Sequence, residues 1–155
     1  MKRTVSRDEI VRLFEKIQST FPHLQMNLDL HPEHLDLDME IPRQDGLAFH
    51  VNVNLQGDEL HLSAGSLWGQ WFPCCEQTTS DAFFNAVCGL LSGRWRVLEH
   101  YRGDKPIKAE LQQPDGHRWR TVYTWSALRL PSLRRVRKRV LRNAQSRGED
   151  STLGG

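Results

Sequence analysis

Between Leu24 and Gly65 apolar and polar residues alternate almost position by position. Leu24, Met26, Leu28 and Leu30 interleave with Gln25, Asn27 and Asp29, and Leu35, Leu37, Met39 and Ile41 with His34, Asp36, Asp38 and Glu40. Leu47, Phe49, Val51, Val53 and Leu55 follow with Ala48, His50, Asn52 and Asn54 between them, then Leu60, Leu62 and Ala64 with His61 and Ser63. A period of two sends successive side chains to opposite faces, so the stretch predicts four antiparallel strands, one face buried and the other polar. The loops at His31-Pro32-Glu33, Pro42 to Gly46 and Gln56-Gly57-Asp58 carry the residues that turns require.

Helical spacing brackets this meander. Ile10, Leu13, Phe14, Ile17 and Phe21 form one stripe, and Ser6 with Glu9 fits a capping box for a helix from about Ser6 to Thr20. A second, largely buried helix is expected from about Asp81 to Ser92, capped by Thr79 or Ser80 and closed by Gly93. Ser66 to Pro73 fits either a fifth strand or a bulged extension.

Three further strands are predicted at Arg94 to Arg102, Pro106 to Gln113 and His117 to Trp125, joined by the turn signals Gly103-Asp104-Lys105 and Pro114-Asp115-Gly116. Simple alternation places Trp95, Val97, Tyr101, Ile107, Ala109, Leu111, Trp119, Tyr123 and Trp125 on one face. It leaves Arg94, Arg96, Arg102, Lys108, Arg118 and Arg120 on the other. Leu133, Val136, Val140 and Leu141 then recur at helical spacing, predicting a basic C-terminal helix from about Pro131 to Gln145. The expected fold is therefore α+β: a mainly antiparallel sheet of about seven strands with two helices on its apolar face, in a pseudo-repeat α-β4-α-β3, plus that helix. Residues 1–145 are expected to form one domain, with 146–155 a flexible polar tail.

Composition narrows the function classes. No apolar run approaches the roughly 18 residues that span a bilayer, and the N-terminus leads straight into a charged helical pattern, so a cytoplasmic protein without membrane insertion is expected. Cys74, Cys75 and Cys88 contain no C-x-x-C pair and suit reduced thiols. The net charge is only +2, but residues 1–80 hold 6 Lys+Arg against 12 Asp+Glu and residues 81–155 hold 15 against 7. Such asymmetry points to an acidic and a basic surface with complementary partners.

Aligning apolar with apolar across the meander pairs Asn27 with Asp38 and Asp38 with His50. It also pairs Asp29 with Asp36, and His34 with Asn54 and then His61. The candidate polar-face site is thus His34, Asp36, Asp38, His50, Asn54 and His61, with Asp38 orienting His50 as an acid/base pair. The candidate basic surface is Arg134, Arg135, Arg137, Lys138, Arg139 and Arg142. No glycine-rich phosphate loop or metal-ligand motif is present, and neither cofactor nor metal is expected. The favoured function is a non-enzymatic binding or assembly module acting through complementary acidic and basic surfaces, with a protein partner or a second copy of itself. The alternatives are a metal-dependent or acid/base enzyme on the polar sheet face and nucleic-acid binding through the basic helix.

Overall fold

The computed structural model describes residues 5–128 and 133–143. Helix α1 (Arg7–Thr20) is followed by strands β1 (Asn27–Asp29), β2 (Leu37–Ile41), β3 (Val51–Gln56), β4 (Glu59–Ala64) and β5 (Leu67–Trp71). Helix α2 (Gln77–Ser92) then leads to β6 (Arg96–Arg102), β7 (Lys105–Asp115), β8 (Arg118–Ser126) and β9 (Val136–Leu141). The fold is α+β with antiparallel sheets, as the pattern predicts, but nine strands in two sheets replace a single sheet of about seven. The order is α-β5-α-β4 rather than α-β4-α-β3.

The first sheet is a five-stranded meander in the order β1-β2-β3-β4-β5. Leu37, Met39, Ile41, Val51, Val53, Leu55, Leu60, Leu62 and Leu67 line its buried face. The expected capping box starts α1: Ser6 Oγ accepts from Glu9 N, and Glu9 Oε2 accepts from Ser6 N. Ile10, Phe14 and Ile17 of α1 are fully buried, and Phe14 stacks on Phe83 of α2 at 6.2 Å. Helix α2 begins at Gln77, earlier than expected, and its N-cap Glu76 makes no side-chain capping bond. Gly93, in the left-handed region at φ 76°, ends it as predicted. Gly89 faces Trp95, and any Cβ there would run into the indole.

The second sheet runs β8-β7-β6-β9. Three hairpin-connected strands and a fourth returning beside the first make a Greek key. The predicted basic C-terminal helix is therefore not formed: residues 136–141 are a strand antiparallel to β6, with Val97 opposite Leu141 and Arg102 opposite Val136. Valines at 136 and 140 lose side-chain freedom in a helix and suit a strand. Pairing also satisfies the backbone groups that β6 would otherwise leave open on that side. The rest of the predicted helix, at 131–132 and 144–145, and the predicted tail lie outside the described residues.

Both sheets contribute to one apolar core, which includes Val97, Ala109 and Leu111 of the second. Trp71 bridges them, meeting Phe83 edge-on at 5.7 Å and Tyr123 face-on at 5.1 Å, while Tyr123 Oη accepts from Gln70 N on the edge of β5. A buried carboxylate makes the second bridge. Glu99, 1% exposed, accepts from Ser66 N and Ser66 Oγ in the β4-β5 turn and from Tyr101 Oη. Gly65, at φ 56°, leaves room there; a Cβ would strike Leu141. Asn143 is the third bridge: its Nδ2 donates to Gly46 O and Leu91 O, and its Oδ1 accepts from Ala48 N.

Candidate functional site

The polar face of the first sheet is a grid of two rows. One runs Asp29, Asp38, Asn54, His61, Gln70 across all five strands, and the other Asn27, Glu40, Asn52, Ser63, Trp68. The β3-β4 pairings follow the predicted register. The others slip by even steps, so every residue keeps its face while its neighbour changes. Asp38 faces Asn54 instead of His50, and Asn27 faces Glu40 instead of Asp38. For β2-β3 the cause lies in residues 47–50, which the alternation assigns to β3. Leu47 bridges back to Gln44 and buries with Phe49 as loop, so β3 starts at Val51.

The sequence-predicted site residues are only partly brought together. Asp38 and Glu40 share the Asn52 amide, which donates to both at 2.8 and 2.7 Å. Asn54 donates to Asn52 Oδ1 at 2.9 Å, and His61 Nδ1 faces Asn54 Oδ1 at 2.9 Å. This chain of amides explains how two carboxylates lie side by side without a lysine or arginine between them. His61, only 5% exposed, lies beneath Trp68 at 4.9 Å, and its Nε2 meets Glu59 Oε2 at 2.9 Å. Both ring nitrogens are thereby occupied. His50 pairs with Glu40, a partner the predicted register missed. His34 and Asp36 fall outside the strands. His34 is exposed beside Glu33 at 3.8 Å, and Asp36 accepts from Gly57 N at 2.6 Å in the β3-β4 turn. Among the described residues no group of three or more His, Cys, Asp or Glu converges as a metal site would require.

Thiol chemistry finds little support either. Burial first, then Cys75 and Asp58, pushes the Cys74 thiol up, and burial pushes Cys88 up to about 11, so neither is a ready thiolate at neutral pH.

The second sheet presents a different surface. On the face turned away from the core, Lys138, His100 and Lys108 form one row, Val140, Leu98, Glu110 and Thr124 the next, and Arg96, Gln112 and Thr121 a third. Glu110 is the one carboxylate in these rows. It accepts from His100 Nε2 at 2.7 Å and from Thr121 Oγ1 at 3.2 Å, with Lys108 Nζ at 3.7 Å. Burial alone would raise its pKa. The His100 hydrogen bond, the Lys108 charge and the Thr121 hydroxyl together hold it below the usual value.

No protein-family model, curated protein or solved structure matches this chain.

Two placements escaped the sequence reading. The six candidate basic residues do not share a helix. Lys138 lies on the outer face of β9, Arg137 and Arg139 on the opposite face, and Arg134 and Arg135 on the approach to the strand. Arg137 sits over Tyr101 at 5.6 Å, Arg139 faces Glu99 across the strand pair, and Arg142 Nε donates to Gly93 O at 2.7 Å. Second, Trp119 was expected on the core face with Tyr123 and Trp125. The pairing shifts between Leu111/Tyr123 and Gln112/Thr121, leaving Val122 as an extra residue in β8. That bulge turns Trp119 to the outer face, where the Arg96 and Arg142 guanidiniums lie 4.2 and 5.0 Å from its ring centre.

Charge accordingly divides by sheet. Residues 24–93, which hold the first sheet and α2, contain 1 Lys+Arg and 10 Asp+Glu, whereas residues 94–143, which hold the second sheet, contain 14 against 4. No helix among the described residues is long and apolar enough to cross a membrane.

Proposed function

We propose that this protein is a non-enzymatic binding and assembly module in which the cationic outer face of the β8-β7-β6-β9 sheet engages the acidic polar face of a second copy. The observation that carries this reading is the division of charge by sheet. One face offers Asp29, Asp38, Glu40 and Glu59; the other offers Lys108 and Lys138, with Arg96 at its end. Opposed potentials steer association and select its register. A two-fold dimer makes the contact twice and closes, whereas a head-to-tail contact made once continues into a ring or filament. The self-satisfied hydrogen bonds of the acidic face fit a docking surface better than an acid/base centre, because its histidines already have partners.

The test is oligomeric state against salt and charge reversal. The wild type is expected to associate at low ionic strength and dissociate as salt screens the contact. Asp29→Lys alone and Lys138→Glu alone are each expected to remain monomeric, and an equimolar mixture of the two to associate again through the swapped pair. A wild type that stays monomeric at low salt, or variants that associate as well as it does, would overturn the reading. Nucleic acid is the competing occupant of the same cationic face. It would be signalled by salt-sensitive oligonucleotide binding that Lys138→Glu weakens and Asp29→Lys leaves unchanged.

A further inference from the structure

We infer that Arg96, Arg142 and Trp119 form an anion site at one end of the second sheet, and that its ligand is a phosphoryl group. Two guanidiniums approach one indole ring, Arg96 from β6 and Arg142 from just beyond β9. Among the described residues each makes one hydrogen bond, from Nε to a neutral acceptor: Arg96 to Gln112 Oε1 at 2.9 Å, and Arg142 to Gly93 O at 2.7 Å. Among the described residues neither forms an ion pair with a carboxylate. The two terminal nitrogens of each guanidinium are thereby left for another acceptor, and Arg142 is exposed to solvent.

The local construction favours a ligand over simple packing. Like charges brought together on one ring repel; burial first, and then the proximity of Arg142, lowers the Arg96 pKa. One arginine would suffice to cover Trp119; the second adds repulsion that an anion would relieve. The β8 bulge at Val122 turns the indole toward the arginines, and Gln112 is itself held by donating to Thr121 Oγ1 at 3.2 Å. A tetrahedral phosphoryl group offers several oxygens to two planar forks, a match that lysine, a single point of charge, does not provide. The ligand could be free phosphate, a phosphate monoester or a strand phosphodiester, and the experiment separates these.

The indole N–H resonance of Trp119 and the Nε–H resonances of Arg96 and Arg142 are followed by NMR in the full chain, at fixed ionic strength. The first arm is titrated with inorganic phosphate, the second with glycerol phosphate, and the third with a single-stranded oligothymidylate lacking terminal phosphates; sodium chloride and sodium acetate are the controls. Saturable shifts are expected in at least one phosphoryl arm and not in the controls. The arm that saturates at the lowest concentration identifies the source. Arg96→Gln and Arg142→Gln are each expected to weaken that binding about tenfold or more, and Arg96→Lys to recover only part of it. Arg120→Gln, on β8 outside the site, leaves it unchanged.

A purely structural role predicts something else. The Gln variants would then lose only their Nε hydrogen bonds, and saturating phosphoryl ligand would raise the melting temperature of the wild type no more than sodium chloride does, whereas a built anion site gives a phosphoryl-dependent rise that the Gln variants lack. The proposal is overturned if no phosphoryl arm exceeds the controls, or if the Gln variants bind as the wild type does. It stands or falls separately from self-assembly, because Asp29 and Lys138 are not in the site.

Discussion

Glu110 shows how one carboxylate survives on a cationic face. Its folded pKa is depressed, so its interactions stabilise the protein fully above the unfolded value and are lost as pH falls through the folded one. Glu110→Gln should therefore cost about 1–3 kcal/mol above about pH 5, with the gap to wild type closing toward pH 3 in urea unfolding. Glu99 poses a different case, since it is buried and serves three donors from two sheets. Glu99→Ala should destabilise by about 2–4 kcal/mol, because Ser66 N, Ser66 Oγ and Tyr101 Oη lose their shared acceptor. Tyr101 reports on the same contact. Burial first, and then the hydrogen bond to Glu99, raises its phenol pKa, so a spectroscopic titration of Glu99→Ala should show it ionising at lower pH than in wild type.

At the level of elements, much was legible from spacing alone. The α1 capping box, the strands of the meander and their buried faces follow from a period of two or 3.6 and from turn residues, because those signals are local. Register was less legible. An even slip leaves every side chain on its face, so the pattern of Leu, Val and Met could not tell Asp38 opposite His50 from Asp38 opposite Asn54. The placement of Trp119 was hidden for another reason: the bulge at Val122 carries no glycine or proline to mark it. The largest miss was β9. In 133–141 the apolar residues fit helical spacing, and only the open edge of β6, a tertiary fact, selects the strand. Asn143 fastens that strand to the Gly46 turn and to the end of α2. Asn143→Ala should cost about 2–3 kcal/mol, and hydrogen exchange should speed up through 136–141 before it does so in β7.

For the whole molecule, the separation of charge between the sheets makes stability and association answer salt in opposite ways. Within one chain, the acidic and basic surfaces each gain from screening of their own like charges, while contact between copies weakens. A rise in added salt should then raise the melting temperature of a dilute monomer and lower the apparent mass at high protein concentration; light scattering and thermal unfolding over one salt series would read both. The Greek key also carries a consequence for how the protein is made. The β6 edge waits for its partner until the chain has run from Val97 to Leu141, so during synthesis a row of unpaired amides and carbonyls lies open beside finished strands. A nascent chain stalled before Val136 would present that row to other chains. The three successive positive charges of β9, Arg137, Lys138 and Arg139, would then count as much for keeping the finished edge from recruiting strands as for any partner they bind.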